Sequence, residues 1–195
     1  MASLARFAPL AAAMLFLCGC SMSRTTTTTR TAVEQALLTR SAEESLGTQS
    51  LAGFEGRSFH IEDIGFDHPQ AAQLAREFEE RLLAAGGRRA ADAASADLVV
   101  VPLVDYAAID DDEVLIGLPA LTLPIPGATA VAFPELALYK RSNQQGRASL
   151  GLLARDARTG ELAVHAAPQW GVKFYTRYKF LFFFTFRTTN LGGPF

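Results

Sequence analysis

Asp97-Leu98-Val99-Val100-Val101-Pro102-Leu103-Val104-Asp105 is the stretch of this 195-residue chain that decides its fold. The uninterrupted apolar run predicts a strand that is covered on both faces, as the strands of parallel sheets are. Upstream, residues 57–66 predict a second strand, in which Phe59 and Ile61 share a face. The alternation of this second strand slips near Asp63, which indicates a bulge.

A helix is predicted between these two strands. Pro69 opens it, Asp67 or His68 caps it, and Gly86-Gly87 ends it. The apolar stripe of this helix consists of Ala71, Leu74, Ala75, Phe78 and Leu82. Strand, helix and strand in this order predict a right-handed βαβ unit.

The sequence on either side extends this unit into a whole domain. A helix is predicted over residues 32–46, with Gly47 as its stop and a buried row made of Leu38, Ala42 and Leu46. After the unit, antiparallel strands are predicted over 131–141, 147–155, 161–166, 172–178 and 180–186, with turns at 143–146 and 156–160. Pro134 marks a sheet edge or a bulge, because it cannot donate to a ladder.

The fold class predicted from these elements is α/β (α+β). Residues 31–195 are expected to form a single globular domain. It has a mixed β-sheet of about five to six strands, with a βαβ unit followed by antiparallel strands, and two main helices.

The N-terminal residues 1–19 have the parts of a secretory signal. Arg6 is the only early charge, and the apolar stretch from Phe7 to Leu17 is too short to span a bilayer as a helix. Leu17-Cys18-Gly19-Cys20 resembles the lipobox of bacterial lipoproteins. That resemblance implies cleavage before Cys20, an S-diacylglycerol on its sulfur and an N-palmitoyl group on its new amine. Cys18 does not fit, because Leu17 before it is too large for the cleavage site.

Residues 20–30 are predicted to be the lipidated cysteine and a flexible tether. The segment from Ser21 to Arg30 is polar and contains five consecutive threonines, Thr25 to Thr29. Ten extended residues reach about 33 Å. Since Ser21 and not an aspartate follows Cys20, the resemblance to lipoprotein sorting signals favours the outer membrane, with the domain facing the periplasm.

The composition of the chain argues against several classes of function. Removal of residues 1–19 takes away Arg6 alone among the charged residues, so 17 basic and 20 acidic side chains remain. This charge balance is near neutral and the sequence has no basic patch, so no nucleic-acid partner is indicated. Only Cys20 is left as a cysteine, so no disulfide, thiol nucleophile or cysteine-based metal site is expected. The motifs of phosphate, dinucleotide and serine-hydrolase sites are absent, and no cofactor, metal or catalytic residue is predicted. Carboxylates brought together by folding stay open.

The candidate docking loop runs from Gly117 to Gly127, where prolines fix the backbone while the side chains stay apolar. Its candidate residues are Leu118, Pro119, Leu121, Leu123, Pro124, Ile125 and Pro126. A rigid apolar loop suits docking, because a pre-ordered segment loses little entropy on binding. The alternative, that the loop folds over the end of the sheet as part of the core, is favoured, because exposed apolar patches on monomers are uncommon.

Three further groups of residues have simpler interpretations. Asp110-Asp111-Asp112-Glu113 lacks the spacing of a calcium loop and is interpreted as a solvated acidic loop. Phe180-Leu181-Phe182-Phe183-Phe184-Thr185-Phe186 is predicted to be a buried strand, with a strand completed by a partner chain as the alternative. The histidines, which are His60, His68 and His165, form no ligand motif.

Several segments after residue 30 resemble an uncharacterised family of bacterial lipoproteins, a domain of unknown function. They are Arg30-Thr31-Ala32-Val33-Glu34-Gln35-Ala36-Leu37-Leu38, Ile116-Gly117-Leu118-Pro119, Leu123-Pro124-Ile125-Pro126-Gly127, Pro134-Glu135-Leu136-Ala137-Leu138-Tyr139-Lys140-Arg141 and Gln145-Gly146-Arg147-Ala148. The order of elements is also similar to small α/β domains of envelope lipoproteins that help to assemble export or cell-wall machinery. Neither resemblance implies catalytic residues.

The function expected from the sequence is that of a membrane-anchored lipoprotein of the cell envelope. It is expected to be a non-enzymatic accessory, structural or docking protein, held to the membrane by the lipid on Cys20 and able to bind an envelope protein partner. The alternative is a small-ligand-binding protein or an envelope enzyme whose site is assembled by the fold.

Overall fold

Two helices and eight strands follow one another along residues 31–63, 70–124 and 130–193, which the computed structural model describes. The helices are α1 (Ala32–Gly47) and α2 (Ala71–Ala84), with a short 3₁₀ turn at Ala52–Phe54. The strands are β1 (Ser58–Ile61), β2 (Arg88–Arg89), β3 (Leu98–Leu118), β4 (Leu121–Leu123), β5 (Val131–Phe133), β6 (Leu136–Asp156), β7 (Leu162–Phe180) and β8 (Phe184–Thr189).

Six of the strands form one mixed sheet in the order β2-β1-β3-β6-β7-β8. β1 runs parallel to both β2 and β3, and Phe59 lies beside Leu98 in that pairing. The other neighbours are antiparallel. β4 and β5 form a separate antiparallel hairpin. The predicted α/β class, the mixed sheet and the two main helices are therefore confirmed, and β1, α2 and β3 form the predicted strand–helix–strand unit.

Both helices contribute to one hydrophobic core against the same face of the sheet. The buried residues of this core include Leu38, Ala42 and Leu46 from α1, Leu74, Phe78 and Leu82 from α2, and Phe59, Leu98, Val100, Leu150 and Leu152 from the sheet. The two rows of helix residues are those that the apolar spacing predicts. Leu98, Val99 and Val100 are all buried, so this part of β3 is covered on both faces as predicted.

The C-terminus of α2 is closed by the two glycines predicted to end it. The N–H of Gly87 donates to the carbonyl of Leu82 at 3.1 Å, and the N–H of Gly86 donates to that of Leu83 at 3.0 Å. These two bonds define a Schellman motif, which needs a left-handed residue at the first position beyond the helix cap. Gly86 supplies it with a φ of 85°. At the other end Gln70 precedes the helix, and the predicted cap at residues 67–69 lies outside the described residues.

Four boundary predictions are wrong: β6 and β7 are longer than predicted, whereas β1 and β5 are shorter. The polar segment 143–146 is not a turn, because β6 runs through it without a break. The predicted strands 161–166 and 172–178 are not separate, because β7 runs from Leu162 to Phe180 and bulges opposite Gly151. Pro134 separates β5 from β6, so 131–141 is not one strand. β1 ends at Ile61, before the predicted bulge, and residues 64–66 lie outside the described part of the chain.

Candidate docking surface

Exposed apolar side chains gather at one end of the sheet. There the last pairs of the ladders are Leu118 with Leu136, and Phe180 with both Tyr139 and Phe184. We call the described residues 116–124, 131–138 and 180–186 the apolar tip. Its large exposed side chains are Ile116, Leu118, Leu121, Leu123, Val131, Phe133, Leu136, Leu138, Leu181, Phe182, Phe183, Phe184 and Phe186. The exposed apolar side chains are therefore concentrated at one end of the sheet and are not scattered as single residues over the surface.

The candidate docking loop forms part of this tip. Leu118 ends β3, Leu121 and Leu123 lie in β4, and Pro119 and Pro124 flank that strand. All five are exposed, and Leu118 keeps 59% of its surface accessible. The favoured expectation, that the loop packs into the core, is wrong for these residues. The remaining two candidate residues, Ile125 and Pro126, lie outside the described residues.

The phenylalanine-rich run forms a turn at the tip. β7 ends at Phe180, β8 begins at Phe184, and the three residues between them reverse the chain. The N–H groups of Leu181 and Phe182 donate to the carbonyls of Leu138 and Ala137, both at 2.9 Å, which fixes the turn against β6. Phe183 between the strands is 71% exposed. The expectation of a buried strand over residues 180–186 is therefore wrong, because the run is split by a turn and residues 181–186 are exposed.

Two residues of this turn have backbone angles that favour glycine. Leu181 has a φ of 45° and Phe182 a φ of 73°. A left-handed conformation costs a residue with a Cβ about 1–2 kcal/mol. Their own side chains do not recover that cost by burial, since both are exposed. Strained and exposed apolar residues of this kind indicate a role outside the fold itself.

An aromatic cluster lies behind the turn. The rings of Tyr139 and Phe180 are 5.0 Å apart, those of Phe180 and Phe186 are 5.3 Å apart, and those of Tyr178 and Phe186 are 5.1 Å apart. Pairs at such distances contribute about 0.5–1.5 kcal/mol beyond their buried area. The cluster therefore stiffens the ends of β6, β7 and β8 beneath the exposed turn.

The single acidic residue of the tip is neutralised by lysines. Glu135 accepts a hydrogen bond from Lys140 at 2.7 Å and lies 3.8 Å from Lys179. Lys140 also lies 2.9 Å from Glu113, and its hydrogen bond holds the pKa of that carboxyl below its usual value. Burial alone would lower the pKa of Lys140, but the bonds to both glutamates raise it. The tip therefore carries no uncompensated negative charge among its described residues.

Two arginines face each other four residues behind the turn. Arg177 of β7 is the register partner of Arg187 of β8, and both are exposed. Like charges in this position repel each other. Among the described residues neither arginine has a carboxylate within salt-bridge distance; both interact with Tyr175 instead. Burial would raise the pKa of the Tyr175 hydroxyl, but the hydrogen bonds from the two arginines lower it.

The acidic run at residues 110–113 is part of a strand, so its interpretation as a solvated loop is wrong. It lies in β3 and pairs with residues 142–145 of β6. Asp112 accepts hydrogen bonds from Asn143 at 2.7 Å and from Arg141 at 2.6 Å, and these bonds lower its pKa. Asp110 lies 3.3 Å from Arg147. Within the described ranges, no group of three or more His, Cys, Asp and Glu residues is placed to hold a metal ion.

The remaining site predictions concern residues that the structure does not bring together or does not describe. Cys20 and residues 21–30 lie outside the described part of the chain, as does His68. His60 lies in β1 and His165 in β7. None of the helices in the described ranges combines the length and hydropathy needed to cross a membrane.

Comparison of the chain with known proteins gives no relative. No protein-family model, no curated protein and no solved structure matches it. The phenylalanine run and the proline-rich loop are each recognisable in the sequence, but no local pattern places them on one surface or singles out Arg177 and Arg187. The signal that could have found these arginines is the set of cations that flanks the phenylalanine run, which are Lys173, Arg177, Lys179 and Arg187.

Proposed function

We propose that this chain is a lipid-anchored protein of the bacterial cell envelope that works by docking through its apolar tip and not by catalysis. The lipid on Cys20 holds it in the outer membrane, and the domain faces the periplasm. The observation that carries the proposal is the concentration of exposed Leu, Val and Phe side chains at one end of the sheet. The resemblance of residues 17–20 to a lipobox supports the anchor.

Exposure of this surface in water is unfavourable, which is why it favours docking. Burying apolar surface is favourable by about 25 cal/mol per Å² of area removed from water, which offsets the entropy lost on association. Large exposed patches on soluble proteins mark sites of interaction with proteins or membranes. The rigid turn and its aromatic support add to the argument, because a pre-ordered surface loses little conformational entropy when it binds.

The anchor is tested by replacing each of the two cysteines of the signal in turn. Metabolic labelling with palmitate is expected to mark the native chain and Cys18→Ala, since the lipobox resemblance assigns no acylation to Cys18. Cys20→Ala is expected to carry no label and to leave the membrane fraction or retain its signal. A label that persists in Cys20→Ala contradicts the anchor.

Docking is tested in living cells with a photo-crosslinking residue at Phe183, using the lipidated chain. We expect a defined adduct from this position, and we expect it to weaken when Leu121→Asp places a charge in the tip. Leu162 is the matched control, because it is 62% exposed but lies at the start of β7, far from the tip. Equal yields of adduct at positions 183 and 162 contradict docking through the tip.

A further inference from the structure

The direction of α1 relates the membrane anchor to the apolar tip. Val33 and Leu37 near the start of α1 pack with Tyr175 of β7. Further along the helix, the carbonyl of Ser41 lies over Gly171, and the hydroxyl of Ser45 donates to the carbonyl of Gln169. The contacts of α1 thus move away from the turn at residues 181–183 as the helix proceeds. Its N-terminus, where the tether joins, is the end of the helix nearer the tip.

The tether is long enough to bring its lipid to the level of the tip. Leu181 lies six residues after Tyr175 along the chain, which is about 20 Å at roughly 3.3 Å per residue. The ten residues between Cys20 and Thr31 reach about 33 Å when extended. A lipid on Cys20 and the exposed turn can therefore occupy the same leaflet.

The cations behind the turn match the charge of a phospholipid surface. Arg177 and Arg187 each lie four residues from the turn, at Leu181 and Phe183 respectively, so their Cα atoms are about 13 Å from its end. If the turn enters the acyl region by about 5–10 Å, these side chains lie at the level of the headgroups. Anionic headgroups would supply the negative partners that the two facing arginines lack within the described residues.

We propose that the apolar tip inserts into the leaflet that holds the Cys20 lipid, so that the domain is attached to a phospholipid bilayer at two points. The proposal rests on the lipid anchor of the proposed function and names the surface to which the tip docks. The acyl chains on Cys20 are already enough to hold the protein on the membrane, so the second attachment sets the orientation of the domain on the leaflet.

The backbone of the turn suits a lipid environment. Hydrocarbon offers no hydrogen-bond partners, so an inserted segment must satisfy its polar groups internally. The N–H groups of Leu181 and Phe182 already donate to carbonyls of β6. The turn projects from the end of the sheet and presents Phe183 outward, whereas sites for small molecules are concave. The projecting turn therefore suits insertion into a fluid lipid surface and not the binding of a small molecule in a pocket.

The test uses depth-dependent fluorescence quenching of the mature lipidated protein in vesicles of phosphatidylethanolamine and phosphatidylglycerol. The chain has a single tryptophan, Trp170, which is 71% exposed and lies 11 residues before Leu181, about 36 Å from the tip. The native protein reports this distant position, and the double variant Trp170→Phe with Phe183→Trp reports the tip. Brominated acyl chains are expected to quench the tip fluorophore strongly and Trp170 little.

A second variant tests the role of the arginines. Replacing Arg177 or Arg187 by Gln in the tip-reporting protein is expected to lower the ratio of inserted to free tip about fivefold for each arginine in anionic vesicles. The same substitutions are expected to have little effect in vesicles of neutral phosphatidylcholine. An equal loss in both kinds of vesicle overturns the assignment of the arginines to the headgroups.

The outcomes separate this proposal from the anchor on which it rests. If the protein stays on the vesicles but its tip fluorophore is quenched no more than Trp170, the tip is outside the bilayer and the insertion proposal is overturned while the anchor stands. If the crosslink from position 183 in cells joins a protein and no phospholipid, the docking partner is that protein. If the purified chain carries no lipid and leaves the vesicles, the anchor itself is wrong.

Discussion

Gly146 and Gly171 lie on neighbouring strands directly under α1. A Cβ atom on Gly146 would lie 2.5 Å from the carbonyl oxygen of Leu37, and one on Gly171 would lie 2.1 Å from that of Ser41. Real Cβ atoms do not approach backbone atoms so closely. The two glycines therefore allow the helix to approach the sheet. Both lie inside strands, and neither has a positive φ.

Ser45 and Gln49 use this close approach to bind the sheet backbone. The pairing of β6 with β7 slips between Leu150 and Leu152, and Ser45 Oγ accepts a hydrogen bond from the N–H of Leu150 at 3.0 Å. Gln49 Nε2 donates to the carbonyl of Leu150 at 2.6 Å. Two side chains of α1 thus satisfy polar groups that the bulge would otherwise leave buried without partners, which would cost about 1–3 kcal/mol each.

We predict that Gly171→Ala lowers the free energy of unfolding by about 1–3 kcal/mol, because the new methyl group must push α1 away from the sheet. For a domain of this size, each kcal/mol lowers the melting temperature by about 2–4 °C. Thermal unfolding followed by circular dichroism measures the effect. Gly47→Ala is the control, because a Cβ there meets no atom within 4 Å. Equal melting temperatures for Gly171→Ala and Gly47→Ala would contradict the packing argument.

At the scale of elements, two polar runs that resemble loops are cross-strand partners. The polar composition of residues 110–113 predicts a loop and that of residues 143–146 predicts a turn when each run is considered alone. In the structure Asp112 pairs with Asn143 within one long antiparallel ladder. Propensity describes one segment at a time, whereas the strand is stabilised here by hydrogen bonds and ion pairs with a distant segment.

The parts of the fold that the sequence predicts depend on local apolar spacing, whereas the parts that it does not predict depend on contacts between distant segments. The buried rows of both helices and the run at residues 98–100 follow from apolar spacing, which burial in one core enforces. The turn at residues 181–183 contains no Gly, Asn or Pro that would predict a turn, and its left-handed residues are Leu181 and Phe182. The apolar tip as a surface depends on ladders between residues far apart in sequence, which no local pattern records.

The ladder between β3 and β6 is expected to weaken in acid. The pKa of Asp112 and that of Glu113 are held below their usual values in the folded chain. The unfolded chain therefore binds protons first as the pH falls, so the stabilisation is present at neutral pH and is lost as the pH drops through the folded-state pKa values. We expect the melting temperature of the native chain to fall more steeply between about pH 5 and about pH 3 than that of Asp112→Asn.

Asp111→Asn is the matched control for this experiment. Asp111 is exposed on the same strand, and within the described ranges its carboxylate takes part in none of the ion pairs with β6. Its replacement is expected to leave the acid dependence of the native chain unchanged. A native-like pH dependence in Asp112→Asn would show that these ion pairs do not hold the ladder together.

At the scale of the whole domain, the part of the sheet that the helices cover and the part that they leave exposed have different roles. Near β1, the two helices bury the sheet in one core. Beyond the level of α1, β6, β7 and β8 continue to a tip whose apolar side chains are exposed. The first part stabilises the fold, and the second presents a surface at a fixed distance from the start of α1. In the proposed arrangement, the tether must cover that distance for lipid and tip to share a leaflet.

The length of the tether is therefore the last prediction. Deleting Met22 to Arg30 leaves two residues between Cys20 and Ala32, which reach about 7 Å. Tyr175, which packs under the start of α1, lies about 20 Å from the turn, and insertion of the turn by about 5–10 Å leaves about 10–15 Å for the tether to cover. The shortened tether does not cover that distance, so we expect the quenching of a Phe183→Trp fluorophore in vesicles to fall toward that of Trp170. Replacing the same nine residues by alternating glycine and serine keeps the length and should keep the quenching. Full quenching after the deletion would mean that the tip and the Cys20 lipid do not constrain each other through the tether.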